Sequence, residues 1–156
     1  TLINSMKYNH NFKLLIVGEF YDNKKKYLNL IEKLKLKERI DIVDKFVRND
    51  EIRNYFLKSK AVILPYKTAS QSGVISLAYL FEKPIVVSNL EGLTSYVKYD
   101  NSGVVFNNTS KGLANAISVV LDKTNNSLFS KNIGKNKKKY SWNKFADELV
   151  KFTFIN

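Results

Sequence analysis

Short apolar runs alternate along this chain with longer segments in which apolar residues recur every three or four positions. Such runs are typical of parallel strands that are covered on both faces, and the longer segments are typical of amphipathic helices. One of the runs, Arg39–Val43, instead alternates polar and apolar residues, as a half-exposed strand does. The predicted strands are Phe12–Val17, Arg39–Val43, Ala61–Leu64, Ile85–Val87 and Gly103–Phe106.

The segments between the strands predict helices. Residues Ser72–Phe81 are apolar nearly all round, which indicates a helix buried on most sides. We expect a short helix or turn over Gly92–Val97 and a basic helix over Leu128–Lys139. The predicted N-terminal caps are Asp22, Asn49–Asp50, Ser72, Ser110 and Ser141.

This alternation predicts one Rossmann-like α/β domain over residues 1–156. Its doubly wound parallel sheet of about five or six strands carries helices on both faces. We find no internal repeat and no linker, and Asn125–Asn126 is the most loop-like point late in the chain.

Composition narrows the function classes. The chain has 156 residues, 44% of them apolar, which suffices for one domain with its own core. Cysteine is absent, which excludes disulfides and thiolate metal sites, and His10 is the one histidine. We therefore expect no metal site. No apolar run approaches the roughly 18 residues of a membrane span. Thr1 is not a natural start, so we expect the chain to be part of a longer protein. We also expect a cytoplasmic location.

The net charge of +12 raises three kinds of partner: nucleic acid, an anionic membrane, or a phosphate-bearing small molecule. Solvated surface lysines would explain the same excess. Arginine occurs only at Arg39, Arg48 and Arg53, whereas nucleic-acid readers usually interleave arginine with aromatics, so we predict no nucleic-acid partner. The candidates for contact with an anionic membrane surface are Lys131, Lys135 and Lys137–Lys139.

The segment with the most candidate binding residues runs from Pro65 to Ser88. It is a strand end, a polar loop and a buried helix, and ligands of open α/β sheets bind at the carboxyl ends of the strands. Gly73 removes a side chain at the helix start, where backbone N–H groups and the helix dipole favour a phosphate. An ordinary helix cap would look the same. The candidate anion-binding residues are Lys67, Gln71, Ser72, Gly73, Val74 and Ile75.

Two further positions follow strands. Gly18 ends the first strand and either lets a ligand approach the backbone or permits a turn; no further glycines complete a dinucleotide fingerprint. Phe46 and Val47 follow the second strand and either close the core or form an apolar wall for a nucleobase. No pair of carboxylates has a spacing that argues for glycosidase or metal chemistry, so the catalytic residues stay unassigned.

Taken in order, LLIVGE, LKERIDIVDKFV, NDEIRNYFLKSKAVILPY, SGVISLAYLFEKPIVVSNLEG, NSGVVF and YSWNKFADELVKF resemble the C-terminal, donor-binding half of a retaining GT-B glycosyltransferase of group 1. The resemblance implies a UDP- or GDP-sugar donor, no metal, and an acceptor-binding domain upstream of Thr1. Phe46 and Val47 would border the base, and Gly73, Val74 and Ile75 would hold the diphosphate. The loop from Thr68 through Ser70 to Ser72 would face the sugar.

The chain departs from the family at its carboxylates. The family commonly carries a glutamate in the loop and another on the helix, and the positions that match here are Ser70 and Ala78. The segment that matches the family's Gly-Gly-x-x-Glu ends in Ser95 instead of an acid. The resemblance makes Gln71 and Ser72 the candidate substitutes for the missing glutamates. We therefore hold two hypotheses: the donor half of a polysaccharide or glycolipid glycosyltransferase, or a non-catalytic partner module with the same fold.

Overall fold

The computed structural model describes residues 1–140, and its elements alternate as the sequence predicts. Over these residues the strands are β1 Leu14–Val17, β2 Ile40–Val43, β3 Val62–Leu64, β4 Ile85–Ser88 and β5 Gly103–Phe106. The α-helices are α1 Leu2–Ser5, α2 Lys24–Lys33, α3 Asn49–Lys58, α4 Gly73–Leu80, α5 Glu91–Asp100, α6 Ser110–Leu121 and α7 Lys123–Asn136. Short 3₁₀ helices cover Lys37–Arg39 and Lys137–Tyr140.

The described strands form two parallel sheets. One pairs β1 with β2, with Leu14 opposite Ile40, and the other has the order β3-β4-β5, with Ile85 opposite Gly103. No backbone ladder joins β1 to β3 in residues 1–140; a cleft of about 1450 Å³ lies between them. The parallel α/β class is confirmed, but the strands are divided between two ladders.

The three-stranded sheet is covered on both faces, as a doubly wound fold requires. Side chains alternate along β4, so Ile85 and Val87 pack in a core with α4, α5 and α7. Val86 points the opposite way and packs against α6. All three side chains are fully buried, so β4 lies at the centre of this sheet. Burial on both faces is the reason that its sequence is a continuous apolar run.

A third apolar cluster joins α1, α2 and the β1–β2 sheet. Its buried members are Ile3, Met6, Leu14, Ile31, Leu36 and Ile40. The Arg39 guanidinium, just before β2, donates to the carbonyl oxygens of Met6 at 3.2 Å, Asn9 at 2.7 Å and Phe12 at 3.0 Å. This side chain therefore fixes the path of the chain from α1 into β1.

Ser72 caps α4 as predicted, but two other caps differ from the prediction by one residue. Asn23, not Asp22, accepts the N–H of Lys25 at the start of α2. Thr109, not Ser110, accepts the N–H of Gly112 at the start of α6. Neighbouring residues with similar side-chain oxygens compete for the cap, and the local turn decides between them.

Other element boundaries also differ. Within residues 1–140, no side chain caps α3, whose N-cap position is Arg48. The basic helix begins earlier than predicted because Asp122 caps it, so Asn125–Asn126 lies inside α7 and is not a loop. Helix α5 is longer than the predicted Gly92–Val97. The predicted cap at Ser141 lies outside the described residues. From Thr1 to Tyr140, none of the helices combines the length and the apolar character that crossing a membrane requires.

Candidate functional site

The carboxyl ends of the parallel strands meet at one edge of the molecule, where the loops after β1, β2 and β3 surround the mouth of the cleft. Predicted site residues from three separate segments line this cleft: Gly18 after β1, Phe46 and Val47 after β2, and Val74 on α4. The fold therefore brings together residues that are distant in sequence, at the edge where doubly wound sheets bind ligands.

Gly18 has a left-handed backbone that favours glycine. Its φ is +137°, and a Cβ there would meet no other atom within 4 Å. Its N–H donates to the carbonyl oxygen of Val43 at 3.0 Å, which extends the β1–β2 pairing by one residue. The glycine thus serves the turn and also leaves open space beside the cleft.

The loop after β1 is tied to the end of β2 by Asp44. Its carboxylate accepts from the Lys24 ammonium at 2.7 Å and from the Phe20 N–H at 3.3 Å. The hydrogen bond from Lys24 is the main cause that lowers the pKa of Asp44 below its ordinary value. These contacts hold the loop beside Phe46, whose side chain is 71% exposed at the mouth of the cleft.

The start of α4 is a well-formed cap with one free donor. Ser72 Oγ accepts the N–H of Val74 at 3.3 Å, and the Ser72 carbonyl accepts the N–H of Ile75 at 3.0 Å. Over residues 1–140, the N–H of Gly73 has no such partner, and a Cβ on Gly73 would enter open space. Of the three predicted backbone donors, only Gly73 is therefore free for a ligand.

The polar loop before α4 lies on the surface. Lys67, Thr68, Ser70 and Gln71 are exposed. Tyr66, which the sequence did not single out, lines the cleft, and its hydroxyl lies 3.3 Å from Ser72 Oγ. The signal for Tyr66 was its position directly after Pro65 at the end of β3. It offers an aromatic face and a hydroxyl at the same mouth.

Gly92 is a second residue whose importance the sequence did not reveal. A Cβ at Gly92 would overlap the carbonyl oxygen of Ser70, so the first turn of α5 packs directly on the backbone of the loop. The sequence predicted a short helix or turn that begins at Gly92. Its actual function is to let α5 support the Thr68–Ser72 loop at close range.

The positions that match the family glutamates lie in different surroundings. Ser70 is exposed in the loop. Ala78 is fully buried in the core with Ile75 and Tyr79, so its side chain does not reach the cleft. Ile75 is also fully buried, so its side chain is a core residue and not a site residue. Among the described residues, no group of three or more His, Cys, Asp or Glu side chains is placed to hold a metal ion.

The chain belongs to the glycosyl transferases group 1 family, whose sequence profile matches residues 1–140. No curated protein sequence matches the chain.

Solved structures share the fold. Sucrose-phosphate synthase from Thermosynechococcus elongatus is 19% identical with a TM-score of 0.84, and the match covers 97% of this chain and 40% of that one. HepE of Anabaena, in complex with UDP, is 20% identical with a TM-score of 0.80, over 96% of this chain and 44% of that one. WaaG, a glycosyltransferase involved in lipopolysaccharide biosynthesis, is 18% identical with a TM-score of 0.75, and the match covers 87% of this chain and 38% of that one.

These structural neighbours are GT-B glycosyltransferases, and the fold of this chain is the Rossmann-like half of that architecture. The chain spans about two fifths of the length of each neighbour.

Proposed function

We propose that this chain is the donor-binding half of a glycosyltransferase, which transfers a sugar from a nucleoside diphosphate sugar to a polysaccharide or glycolipid acceptor. The observation that carries the proposal is the cleft mouth at the carboxyl edge of the strands, with its free helix N-terminus at Gly73. Family membership supports the reaction class. HepE, which has the same fold, was crystallised with UDP and with UDP-glucose.

The proposed roles follow the geometry of the mouth. Phe46 and Val47 form the apolar wall for the base, on the far side of the cleft from α4. The Gly73 N–H and the dipole of α4 face the diphosphate, with Lys67 as an exposed cation on the same loop. Thr68, Ser70 and Gln71 face the sugar. A helix N-terminus together with basic side chains neutralises the leaving diphosphate without a resident metal.

The missing half is part of this proposal. An acceptor-binding domain upstream of Thr1 would close over the donor, so residues 1–156 alone would bind nucleotide weakly and transfer nothing. We propose that these residues form one domain of a cytoplasmic protein.

Nucleotide titration tests the donor site. UDP, GDP and UMP are added separately to the isotope-labelled full-length protein, and amide shifts are followed by NMR. We expect UDP or GDP to shift the amides of residues 66–75 and of Phe46, and we expect UMP to shift them less because it lacks the second phosphate. Absence of any shift in residues 66–75 at millimolar UDP and GDP would overturn the proposed site.

A second candidate function is a non-catalytic partner module. Ala78 favours it, because this position is sealed in the core and offers no carboxylate to a nucleotide ribose. Turnover by the full-length protein with a nucleotide sugar and a lipid-linked acceptor would exclude this candidate. Nucleotide binding without turnover on any acceptor tested would favour it.

The basic surface supports a peripheral position at an anionic membrane. Lys131 and Lys135 are exposed on α7, and each lysine near an anionic surface contributes roughly 1 kcal/mol. Co-sedimentation of the full-length protein with vesicles of increasing phosphatidylglycerol content tests this. Equal binding to neutral and anionic vesicles would contradict it.

A further inference from the structure

Exposed apolar side chains recur at the amino edge of the three-stranded sheet, where β3, β4 and β5 begin. Leu57, shortly before β3, is 54% exposed; Leu80, shortly before β4, is 63% exposed; and Tyr99, shortly before β5, is 85% exposed. Single apolar residues scattered over a surface are ordinary. The same placement before three neighbouring strands instead concentrates apolar side chains at one edge, opposite the mouth of the cleft.

Helix α7 lies across the same edge. The Asn126 side chain donates to the carbonyl oxygen of Lys60, just before β3, at 3.1 Å. The Asn132 side chain donates to the carbonyl oxygen of Asn101, just before β5, at 3.1 Å. Because β3 and β5 are the outer strands of the order β3-β4-β5, α7 spans the width of this sheet. The outer side of α7 therefore forms part of the surface of the amino edge.

The outer side of α7 is basic. Phe129 and Ile133 are buried, so they turn one side of the helix toward the core. Leu128, Lys131 and Lys135 are exposed and lie at positions i, i+3 and i+7, which share one face of a helix. The face turned away from the core thus combines an apolar side chain with two cations.

The acidic groups of this edge are already engaged. The Glu82 carboxylate accepts from the Lys137 ammonium at 2.7 Å, and the buried Asp100 carboxylate accepts from the Lys139 ammonium at 3.3 Å. Asp122 caps α7. Further lysines remain exposed and form no ion pair within residues 1–140. They are Lys58, Lys60, Lys98, Lys131 and Lys135.

This combination has the chemistry of an interfacial lipid contact. Ammonium groups are attracted to the phosphates of an anionic bilayer, and apolar side chains enter the boundary between headgroups and acyl chains. In segments 57–60, 80–84 and 98–102 and in α7, every basic residue is a lysine. The arginine forks by which nucleic-acid readers grip phosphates and bases are absent from these segments, which favours lipid over nucleic acid.

We propose that the amino edge, with the outer side of α7, is the surface by which the protein contacts an anionic bilayer. This inference rests on the peripheral membrane position proposed above and adds the orientation of the domain. The mouth of the cleft lies at the opposite edge and faces away from the lipid. A nucleotide sugar is water-soluble, so a mouth in this orientation stays open to the solvent from which the donor arrives.

Lysine footprinting of the full-length protein tests the orientation. The protein is acetylated with an amine-reactive reagent, alone and with vesicles of phosphatidylcholine that contain or lack phosphatidylglycerol, and labelling is read by mass spectrometry. We expect anionic vesicles to lower the labelling of Lys98, Lys131 and Lys135 by about fivefold or more. The internal controls are Lys25 and Lys111, exposed in the first turns of α2 and α6 at the carboxyl edge, which we expect to label as before.

Charge-matched variants give a second measurement. Each lysine near an anionic surface contributes roughly 1 kcal/mol, so we expect Lys131→Gln with Lys135→Gln to weaken vesicle binding about thirtyfold. Lys25→Gln with Lys111→Gln removes the same charge at the other edge, and we expect a change below about threefold. Tyr99→Ser weakens the binding that persists in high salt. UDP titration of the same variants reports the donor site separately, and we expect it to be unchanged.

Four results would overturn the inference. Equal protection or equal weakening at both edges would mean that charge alone drives binding. Weak labelling of Lys98, Lys131 and Lys135 before vesicles are added would mean that this edge is covered within the protein itself. Binding of a mixed-sequence RNA through these lysines, without vesicle binding, would give the edge to nucleic acid. Equal binding to neutral and anionic vesicles would also remove the peripheral position, while UDP shifts in residues 66–75 would leave the donor site standing.

Discussion

Buried polar groups are paired with one another at the amino edge of the parallel sheets, where the strands begin. At the carboxyl edge, where the strands end, polar groups are left open. At the amino edge, the buried carboxylate of Asp100 accepts from the hydroxyls of Tyr79 at 2.9 Å and Tyr140 at 2.7 Å and from the Lys139 ammonium at 3.3 Å. At the carboxyl edge, the N–H of Gly73 has no partner within residues 1–140, a Cβ on Gly73 would enter open space, and Phe46 is exposed.

Polar groups that are paired with one another stabilise the fold, and polar groups that are left open can bind a ligand. The buried carboxylate of Asp100 and the buried hydroxyl of Tyr79 fix one arrangement of the chain, because either group would be costly to leave unpaired. Donors that are held rigidly but left free are what a ligand needs. The amino edge therefore holds α4, α5 and the Lys137–Tyr140 turn together, whereas the carboxyl edge stays open.

The largest expected effect comes from Asp100→Ala. The change removes the acceptor of the Tyr140 hydroxyl and leaves the Tyr79 hydroxyl with only the Tyr96 carbonyl oxygen at 3.5 Å, so we expect a loss of about 3 kcal/mol in the free energy of unfolding. Urea denaturation measures it, with Glu32→Ala on the exposed face of α2 as a control expected to stay within about 0.5 kcal/mol. A loss below about 1 kcal/mol would show that the cluster does not stabilise the amino edge.

Gly92→Ala tests how the carboxyl edge is supported, because Gly92 in α5 packs against the backbone of the Thr68–Ser72 loop. The added methyl overlaps the backbone of Ser70, so we expect about 2 kcal/mol of destabilisation together with weaker binding of UDP. The matched control is Gly134→Ala inside α7, where the added Cβ would lie 3.4 Å from the flexible side chain of Glu82. There we expect unchanged or higher stability, because alanine favours a helix over glycine. Equal stability of the two variants would contradict the contact with Ser70.

Gly73→Ala changes the carboxyl edge alone, where we propose that the donor binds. A Cβ there enters open space, so we expect the free energy of unfolding to change by less than about 0.5 kcal/mol. If the diphosphate approaches this backbone, the methyl blocks it, and the Kd for UDP rises roughly tenfold, equivalent to about 1.4 kcal/mol. Calorimetric titration compares this variant with Ser76→Ala, an exposed change on the same helix. Unchanged UDP affinity would remove Gly73 from the site.

The smallest effect concerns pH at the amino edge. Burial, followed by the hydrogen bond to Asp100, raises the pKa of Tyr140 above the ordinary value of 10.0. Burial is also the main cause that raises the pKa of Tyr79, to which the hydrogen bond and charge of Asp100 add. A raised pKa in the folded state means that the stability is present below pH 10 and is lost as the pH rises above it. We expect the urea midpoint to be steady up to about pH 10 and to fall above it, and to fall less in Tyr140→Phe. An equal fall in both proteins would contradict the assignment to Tyr140.

Much of the fold follows from local pattern. The strand β5 has the predicted bounds, and α4 and its cap at Ser72 differ from the prediction by at most one residue. These features depend on side-chain periodicity and on hydrogen bonds between near neighbours, which the sequence displays directly. Where adjacent polar residues compete for a cap, the prediction was wrong by one position: Asp22 was predicted and Asn23 caps α2, because the local turn decides between them.

The sequence by itself predicted a parallel α/β domain that resembles the glycosyltransferase family, with Gly73 at the start of a helix. Only the tertiary structure decided that Ala78 is sealed in the core, that Gly92 supports Ser70, and that Asp100 gathers two tyrosines. It also divided the strands into two sheets. Each of these features is a contact between segments far apart along the chain, and the residue types alone do not specify which distant partner a side chain or a strand edge will meet.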